Sequence, residues 1–277
     1  MQSRELEFSG VGGVRLYGRA WLPDEAPIAA VILAHGAAEH CGRYEHVAAR
    51  LNAGRYAVYA IDHRGHGRSG GRRGNIGRFE WLIADLHTLI ESARQAHPGL
   101  PLFLVGHSMG GAIALGYALA HERDITALAL SAPALSMGEL VPSWQIRLVR
   151  VLSAIAPNLG VLTLPAAAVS RDPAVVKAYD EDPLVYRGAA PARTVSELAG
   201  AMAGFAHHAA ELRMPVLIQH GTGDSLVPLA GNRPVYERLG SADKTLLVYE
   251  GLYHEIYNEP ERGRVLDDLV AWLGRHG

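Results

Sequence analysis

The feature that most constrains this chain is an apolar run that leads directly into a Gly-x-Ser-x-Gly pattern. Leu102–Val105 has the length and composition of a buried strand, the pattern occupies residues 106–110, and an Ala- and Leu-rich helical stretch follows at once. A strand, a sharp turn and a helix in this order lift a serine hydroxyl onto an exposed tip, the nucleophile elbow. The context therefore predicts Ser108 as a nucleophile.

A second stretch, residues 67–71, also fits the pattern and offers Ser69 as a competing candidate. It follows Asp62-His63-Arg64-Gly65-His66, which does not have the composition of a strand, and it precedes no helical pattern. The pattern alone is weak evidence, since its chemistry depends on the strand and helix that hold the serine. Context selects Ser108 over Ser69.

The bulk composition limits the classes of protein that this chain can be. A chain of 277 residues, 49% hydrophobic and 19% charged, fits one large α/β domain or one domain with an insertion. The formal net charge of −2 does not indicate a nucleic-acid partner. We interpret the arginines at positions 64, 68, 72 and 73 as part of a solvated loop.

The chain shows no sign of a secreted or membrane-spanning protein. Its one cysteine, Cys41, excludes an internal disulfide, which is compatible with a reducing compartment. The N-terminus lacks an apolar stretch of signal-peptide length, and no uncharged apolar run is long enough to span a bilayer. We expect a cytoplasmic protein, with membrane association left open.

Apolar runs of strand length alternate with helical patterns along most of the chain, which is typical of a parallel, doubly wound sheet. Two strands that suit an antiparallel edge come first, at Arg4–Phe8 and Arg15–Leu22. The predicted buried strands are Ala29–Ala34, Tyr56–Ile61, Leu102–Val105, Ala127–Leu130, Val216–His220 and Thr245–Tyr249. The predicted helices of the alternating part are Tyr44–Leu51, Phe79–Gln95, Met109–Ala120, Ala230–Leu239 and Arg262–Leu273.

The alternation breaks between Ala132 and about Ala210, where helical patches such as Trp144–Ile155 and Pro173–Tyr179 occur without a convincing buried strand. A helical insertion between two halves of a sheet is expected to cover the carboxyl edge of that sheet. We therefore predict a core in residues 1–134 and 211–277, interrupted by a cap segment in residues 135–210.

A serine nucleophile needs a base to accept its proton and an acid to orient that base. Asp224 lies in a glycine-rich turn just after the strand Val216–His220, and no acidic residue closely follows the earlier strand Ala127–Leu130. An aspartate in such a turn can also simply cap a helix. His254 lies between the last strand and the last helix, downstream of Asp224. This order predicts Asp224 as the acid and His254 as the base.

Ester or amide hydrolysis also needs donors for a developing oxyanion. The backbone amide of Met109, at the start of the helix, is one candidate. The second is the amide of Ala37, in the loop after the strand Ala29–Ala34, where Gly36 allows the backbone to turn inward. A plain glycine turn is the alternative for that loop, and we expect His35 to be packed and hydrogen-bonded rather than catalytic.

Several segments carry a more specific signal than the elbow alone. They read HGAAEH at 35–40, DHRGHGRS at 62–69, GHSMGG at 106–111, SRDP at 170–173, DPLV at 182–185 and GLYHE at 251–255. Together they resemble the monoacylglycerol lipase family of α/β-hydrolases, in particular the bacterial, mycobacterial type, over nearly the whole chain.

The resemblance implies an α/β-hydrolase fold and the hydrolysis of monoacylglycerol to glycerol and a fatty acid through an acyl-serine intermediate. It implies a triad of Ser108, Asp224 and His254, with Ala37 and Met109 as oxyanion donors. It also assigns Glu39 and Arg43 to the region that shapes the glycerol end of the substrate. No metal or cofactor is expected, because the chemistry needs none and no clustered ligand set is evident.

The predicted cap helix carries apolar residues interrupted by Arg147 and Arg150. Such a face either packs on the core or forms an acyl tunnel and a rim that contacts lipid aggregates, and both can hold on different sides of the helix. The apolar residues are Leu140, Val141, Trp144, Ile146, Leu148, Val149, Val151, Leu152 and Ile155.

Other functions remain as alternatives. The same triad could serve a lysophospholipase or a short- or medium-chain carboxylesterase. A ligand-binding protein with little turnover is disfavoured by the intact set of Ser108, Asp224 and His254. Dehalogenase or epoxide-hydrolase chemistry would need a carboxylate at position 108.

Overall fold

The strands found in the structure closely follow the apolar runs of the sequence. A computed structural model of the chain describes residues 1–137 and 142–277. Its strands are Gln2–Ser9 (β1), Arg15–Leu22 (β2), Ala29–Ala34 (β3), Tyr56–Ile61 (β4), Leu102–His107 (β5), Ala127–Ser131 (β6), Gly160–Leu162 (β7), Ala190–Pro191 (β8), Val216–Gly221 (β9) and Lys244–Tyr249 (β10).

Eight of these strands form one sheet in the order β1-β2-β4-β3-β5-β6-β9-β10. The edge strands β1 and β2 run antiparallel to their neighbours, and every pair from β4 to β10 is parallel. The expected mostly parallel, doubly wound sheet with an antiparallel edge is confirmed. Its central strands are buried on both faces, as parallel strands covered by helices must be.

The described residues form eight α-helices, six of which (all but Ser143–Ile155 and Pro173–Glu181) pack on the two faces of this sheet. The eight helices are Glu45–Ala53 (α1), Phe79–Ala96 (α2), Met109–Ala120 (α3), Ser143–Ile155 (α4), Pro173–Glu181 (α5), Ala192–His208 (α6), Leu229–Arg238 (α7) and Arg262–Leu273 (α8).

The alternation of side chains along each strand divides the core into two layers. In β3, Ala30 and Ile32 pack with side chains of α2, α3, α6 and α7, whereas Val31 and Leu33 pack with side chains of α1 and α8.

The strand order places the loops that follow β3 and β5 side by side. From β3 the chain passes to β4 on one side, whereas β5, on the other side, leads on to β6. Such a reversal opens a crevice at the carboxyl ends of the strands, where open α/β sheets bind ligands. The HGAAEH loop after β3 and the elbow after β5 therefore meet at this point.

The predicted helices of the alternating part are confirmed, most with ends shifted by one or two residues and two, α3 and α8, without any shift. The Ala-rich helix α6 was not predicted, and neither was the strand pair β7–β8, whose strands are too short to give a pattern. The expectation of a solvated arginine loop is wrong for Arg64, whose side chain is buried and pairs with both oxygens of Asp85 at 2.7 and 2.8 Å.

The cap segment, residues 135–210, contacts loops at the carboxyl edge of the sheet. The Tyr186 amide donates to Ala38 O at 2.7 Å, His40 Nε2 lies 2.8 Å from Asp182 Oδ2, and the Glu255 amide donates to Val169 O. Leu140 and Val141 lie outside the described residues. The division into a core and a cap stays a prediction.

Close packing of α3 against β3 makes Gly110 a sensitive position. A Cβ atom on Gly110 would lie 2.0 Å from Ala34 O, a backbone atom that cannot move aside. We expect Gly110→Ala to lower the free energy of unfolding by about 3 kcal/mol or more, measured by urea denaturation.

The matched control is Gly200→Ala in α6, where a Cβ atom would meet no atom of the described residues within 4 Å. There the better helix propensity of alanine should raise the free energy of unfolding by up to about 1 kcal/mol. Equal effects at both positions would contradict the packing argument.

Candidate active site

The elbow serine lies at the tip of the turn between β5 and α3. Ser108 has φ 52° and ψ −117°, a region that residues with a side chain rarely occupy. Its amide donates to Ser131 O at 3.0 Å, and its carbonyl accepts from the Ala112 and Ala134 amides. These bonds hold the strained backbone, so Ser108 starts α3 in the geometry of a nucleophile elbow.

Asp224 and His254 come together at the same edge of the sheet, although 29 residues separate them in sequence. His254 Nδ1 lies 2.7 Å from Asp224 Oδ2, and both side chains are buried. An N–H at Nδ1 that donates to a carboxylate leaves Nε2 free to accept a proton. The predicted acid and base therefore have the contact that their roles require, and the roles themselves stay predictions.

The environment of Asp224 keeps it ionised. Burial alone would raise the pKa of this carboxyl, but hydrogen bonds from His220 and His254 outweigh burial and hold the pKa well below its usual range. The amides of Leu226 and Val227 also donate to Asp224 Oδ1, each at 2.9 Å. An ionised partner is what a base that becomes positively charged needs.

Sequence reasoning missed His220 as a partner of this carboxylate. Its Nε2 lies 3.3 Å from Asp224 Oδ2 and 2.8 Å from Val227 O. The only available signal was the spacing of four residues between His220 and Asp224, at the end of β9.

The loop after β3 lies directly against the elbow. A Cβ atom on Gly36 would be 3.2 Å from Ser108 Cβ and 3.1 Å from His107 Cδ2, so only glycine fits here without displacing these groups. The Gly36 amide donates to Glu39 Oε1 at 2.7 Å and is thereby occupied. This favours the next amide, that of Ala37, as the donor from this loop, together with Met109 at the start of α3. Both assignments stay predictions.

Glu39 and Arg43 belong to one buried charge network. Arg43 Nη1 donates to Glu39 Oε2 at 2.6 Å, and its two Nη groups donate to the two oxygens of Glu255, also at 2.6 Å. Burial raises the pKa of Glu39, whereas for Glu255 the opposing charge of Arg43 outweighs burial and lowers the pKa. Sequence reasoning did not identify Glu255, although it adjoins His254.

Four histidines beside the site are buried and neutral. Desolvation is the main cause: it lowers the pKa of His63 to about 3, of His66 to about 4 and of His107 to about 3, and it lowers that of His35 well below its usual range. The His107 ring lies 4.8 Å from the His254 ring, between centroids.

The expectations for His35 and Ser69 agree with the structure. His35 is packed, with its Nε2 accepting from the His63 amide at 2.9 Å. Ser69 Oγ donates to Asp62 O and accepts from the Tyr17 amide. These contacts fit a structural role for Ser69 in its turn rather than a nucleophilic one.

A cavity of about 270 Å³ opens beside the candidate oxyanion loop. The core contributes Ala37, Ala38 and His66 to its lining, and the cap segment contributes mostly apolar and aromatic side chains. The latter include Leu162, Leu164, Pro165, Tyr179 and Tyr186. A mostly apolar pocket with a few polar groups, beside the candidate oxyanion loop, is suited to an acyl chain or an alcohol of modest size.

One group of potential metal ligands occurs among the described residues, at the far end of α3 from Ser108. It consists of His87, His121 and Asp124. The two imidazole rings are stacked, with 5.0 Å between centroids, and Arg94 Nη2 already pairs with Asp124 at 3.6 Å. An imidazole binds a metal ion in the plane of its own ring, and two stacked rings cannot both do so with one ion. Asp124 is also already paired with a cation, so the geometry does not favour a metal ion here.

The sheet order, the strained elbow and the acid–base pair at the carboxyl edge define an α/β-hydrolase. Comparison with known proteins agrees with this class. The model of the family described as serine aminopeptidase, S33, matches residues 25–261.

Individual relatives indicate which family within the α/β-hydrolases this chain belongs to. A monoacylglycerol lipase from Mycolicibacterium smegmatis is 45% identical over 98% of this chain and 97% of its own length. The human monoglyceride lipase is 34% identical over 95% of this chain and 88% of its own. The crystal structure of the Paleococcus ferrophilus monoacylglycerol lipase superposes with a TM-score of 0.84, at 32% identity and full coverage of both chains. The chain belongs to the monoacylglycerol lipase family.

The buried neutral histidines predict a loss of stability in acid. Because their folded-state pKa values lie below the ordinary value of about 6.5, the unfolded chain binds more protons as the pH falls below that value. Each such histidine should therefore lower the free energy of unfolding by about 1.4 kcal/mol for every pH unit, as the pH falls from about 6 to the folded-state pKa of that histidine. Urea denaturation at pH 7 and at pH 5 measures this.

The variant His63→Phe should show a smaller difference between the two pH values, since neither ring nitrogen of His63 has a hydrogen-bond partner within the described chain. The exposed His207 provides the control His207→Gln, for which the difference should match that of the wild type. An unchanged pH dependence in His63→Phe would contradict the argument.

Proposed function

We propose that this protein is a serine hydrolase that cleaves monoacylglycerol to glycerol and a fatty acid through an acyl-serine intermediate. One observation carries the proposal above all others. The buried contact of 2.7 Å between His254 Nδ1 and Asp224 Oδ2 lies at the sheet edge that also bears the strained Ser108 turn. A buried acid–base pair beside an elbow serine is the arrangement that nucleophilic catalysis needs.

The chemistry follows from these groups. His254 Nε2 takes the proton of Ser108 Oγ as the oxygen attacks the ester carbonyl, and the amides of Ala37 and Met109 stabilise the oxyanion. The intermediate collapses, and His254 gives the proton to the departing glycerol oxygen. A water molecule then loses a proton to His254, attacks the acyl-serine and releases the fatty acid, while Ser108 regains its proton.

The substrate class is proposed from the relatives and from the cavity. The relatives described above are monoacylglycerol lipases, and the mycobacterial one matches nearly the full length of this chain. The pocket beside Ala37 is lined largely by apolar and aromatic side chains of the cap segment, together with Asp180 and Arg187, and its apolar part suits a single acyl chain.

We further propose that the cap segment contacts lipid aggregates through α4. Four apolar side chains form one exposed stripe along this helix, at a spacing of three or four residues: Trp144, Leu148, Val151 and Ile155. Ile146, Val149 and Leu152 are less exposed, so the helix has both a packed and an open side. The exposed Arg147 and Arg150 are available for anionic headgroups. No helix in the described parts of the chain has the length and apolarity to cross a bilayer.

Release of glycerol from 1-monooleoylglycerol tests the function directly. The wild type should turn over this substrate, and Ser108→Ala should lower kcat by about 10⁴-fold or more, since the triad acts as a unit. Trioleoylglycerol and lysophosphatidylcholine, assayed in parallel, should be poorer substrates.

Three outcomes would change the proposal. Preference for lysophosphatidylcholine would make the protein a lysophospholipase, and turnover of short esters alone would make it a carboxylesterase. Full activity in Ser108→Ala would show that another residue is the nucleophile.

The double variant Val151→Asp, Ile155→Asp tests the lipid contact. It places two charges on the exposed stripe and should weaken binding to vesicles of phosphatidylcholine and phosphatidylglycerol by about tenfold or more in a flotation assay. Hydrolysis of a water-soluble short ester should be unaffected.

Ile28→Asp serves as the matched control, because Ile28 is 46% exposed and lies just before β3, at the opposite edge of the sheet. If both substitutions weaken vesicle binding equally, α4 is not the contact surface.

A further inference from the structure

The charge network of Glu39, Arg43 and Glu255 joins parts of the chain that lie far apart in sequence. Glu255 is 212 residues from Arg43, yet the two side chains form a bidentate pair with both N–O distances at 2.6 Å. Glu39 completes the network, and all three side chains are at least nine-tenths buried. Two carboxylates and one guanidinium lose their hydration here, so the network is costly and is not explained by stability alone.

One end of the network fixes the loop after β3. Glu39 Oε1 accepts from the Gly36 amide and from the Tyr44 hydroxyl, each at 2.7 Å, while Oε2 accepts from Arg43. The orientation of the peptide units at positions 36 and 37 therefore depends on where the Glu39 carboxylate is held. That position in turn depends on Arg43.

The other end fixes the loop that carries His254. Glu255 is the next residue, and besides its two bonds from Arg43 its carboxylate accepts from Asn258 Nδ2 at 2.8 Å. Arg43 also lies over the ring of Tyr179 in α5, 4.8 Å from its centroid, so the cap segment packs on the same guanidinium. One planar cation thus contacts the oxyanion loop, the histidine loop and the cap segment.

We propose that Arg43, with Glu39 and Glu255, is a positioning device that sets the distance between the oxyanion loop and His254. Its action is indirect: both oxygens of Glu39 and both Nη groups of Arg43 hold hydrogen bonds inside the protein. This inference rests on the proposed function, since it concerns the oxyanion loop and base of that reaction. A displacement of about 1 Å in either loop is enough to slow such chemistry by about 100-fold.

Glu255→Gln and Arg43→Lys test the inference. The first keeps the volume of the side chain but removes the charge, and the second keeps the charge but removes the planar fork that binds two carboxylates. Each variant is assayed with 1-monooctanoylglycerol and with methyl octanoate, which share the acyl group and differ in the alcohol.

For a positioning role we expect kcat to fall by about 10- to 100-fold for both esters, with KM changed by less than about threefold. A rise in KM confined to monooctanoylglycerol would overturn the inference and make Arg43 a glycerol ligand. An unchanged kcat for both esters would overturn it as well. If Glu255→Gln does not fold, Arg43→Lys carries the test.

The chain offers a matched control in the Arg64–Asp85 pair, which is equally buried and bidentate. Asp85→Asn should lower thermal stability but leave kcat of the folded enzyme near that of the wild type. A kcat loss in Asp85→Asn as large as in Glu255→Gln would mean that general destabilisation is the cause, and the inference would fail. A wild type that hydrolyses neither ester would instead overturn the proposed function and, with it, the role assigned to the network.

Discussion

The strained turn at Ser108 is the constraint on which the rest of the site depends. A non-glycine residue at φ 52° and ψ −117° costs about 1–3 kcal/mol, and the fold must supply that energy from its surroundings. Here the end of β6 contributes directly, because Ser131 O accepts the Ser108 amide. Gly106 and Gly110 allow the contact between β5 and α3 that forms the turn: a Cβ atom on Gly106 would lie 2.4 Å from Gly110 O. The central sheet is therefore part of the catalytic geometry as well as its support.

The parts of the fold that local sequence determines were predictable. The strands Ala29–Ala34 and Tyr56–Ile61 and the helix Met109–Ala120 have the predicted bounds, because each is a short apolar segment ended by polar residues or glycine. The order of Ser108, Asp224 and His254 was likewise readable, since each follows a recognisable strand. The contact between Asp224 and His254 then follows from the parallel sheet, which brings the carboxyl ends of its strands to one edge.

What local sequence did not reveal is which distant charges pair inside the protein. Arg64 was expected in a solvated loop, yet it pairs with Asp85 in the core. Glu255 likewise gave no sign that it would face Arg43. An arginine beside glycines has the same composition in a surface turn and in a buried one, and only the tertiary fold decides which carboxylate it meets.

Local backbone geometry and the pairing of distant charges form different parts of the candidate site. Backbone geometry alone places Ser108 and the start of α3, since glycines and strand pairing are enough to form the turn. The oxyanion loop includes Ala38 at φ 68°, a conformation that a non-glycine residue keeps only when its surroundings restrain it. A loop of that kind needs outside restraints, and Arg43, itself held by Glu255, supplies one through Glu39. The buried charges therefore act on the loop whose backbone needs the most support, and we expect their loss to lower the rate as well as the stability.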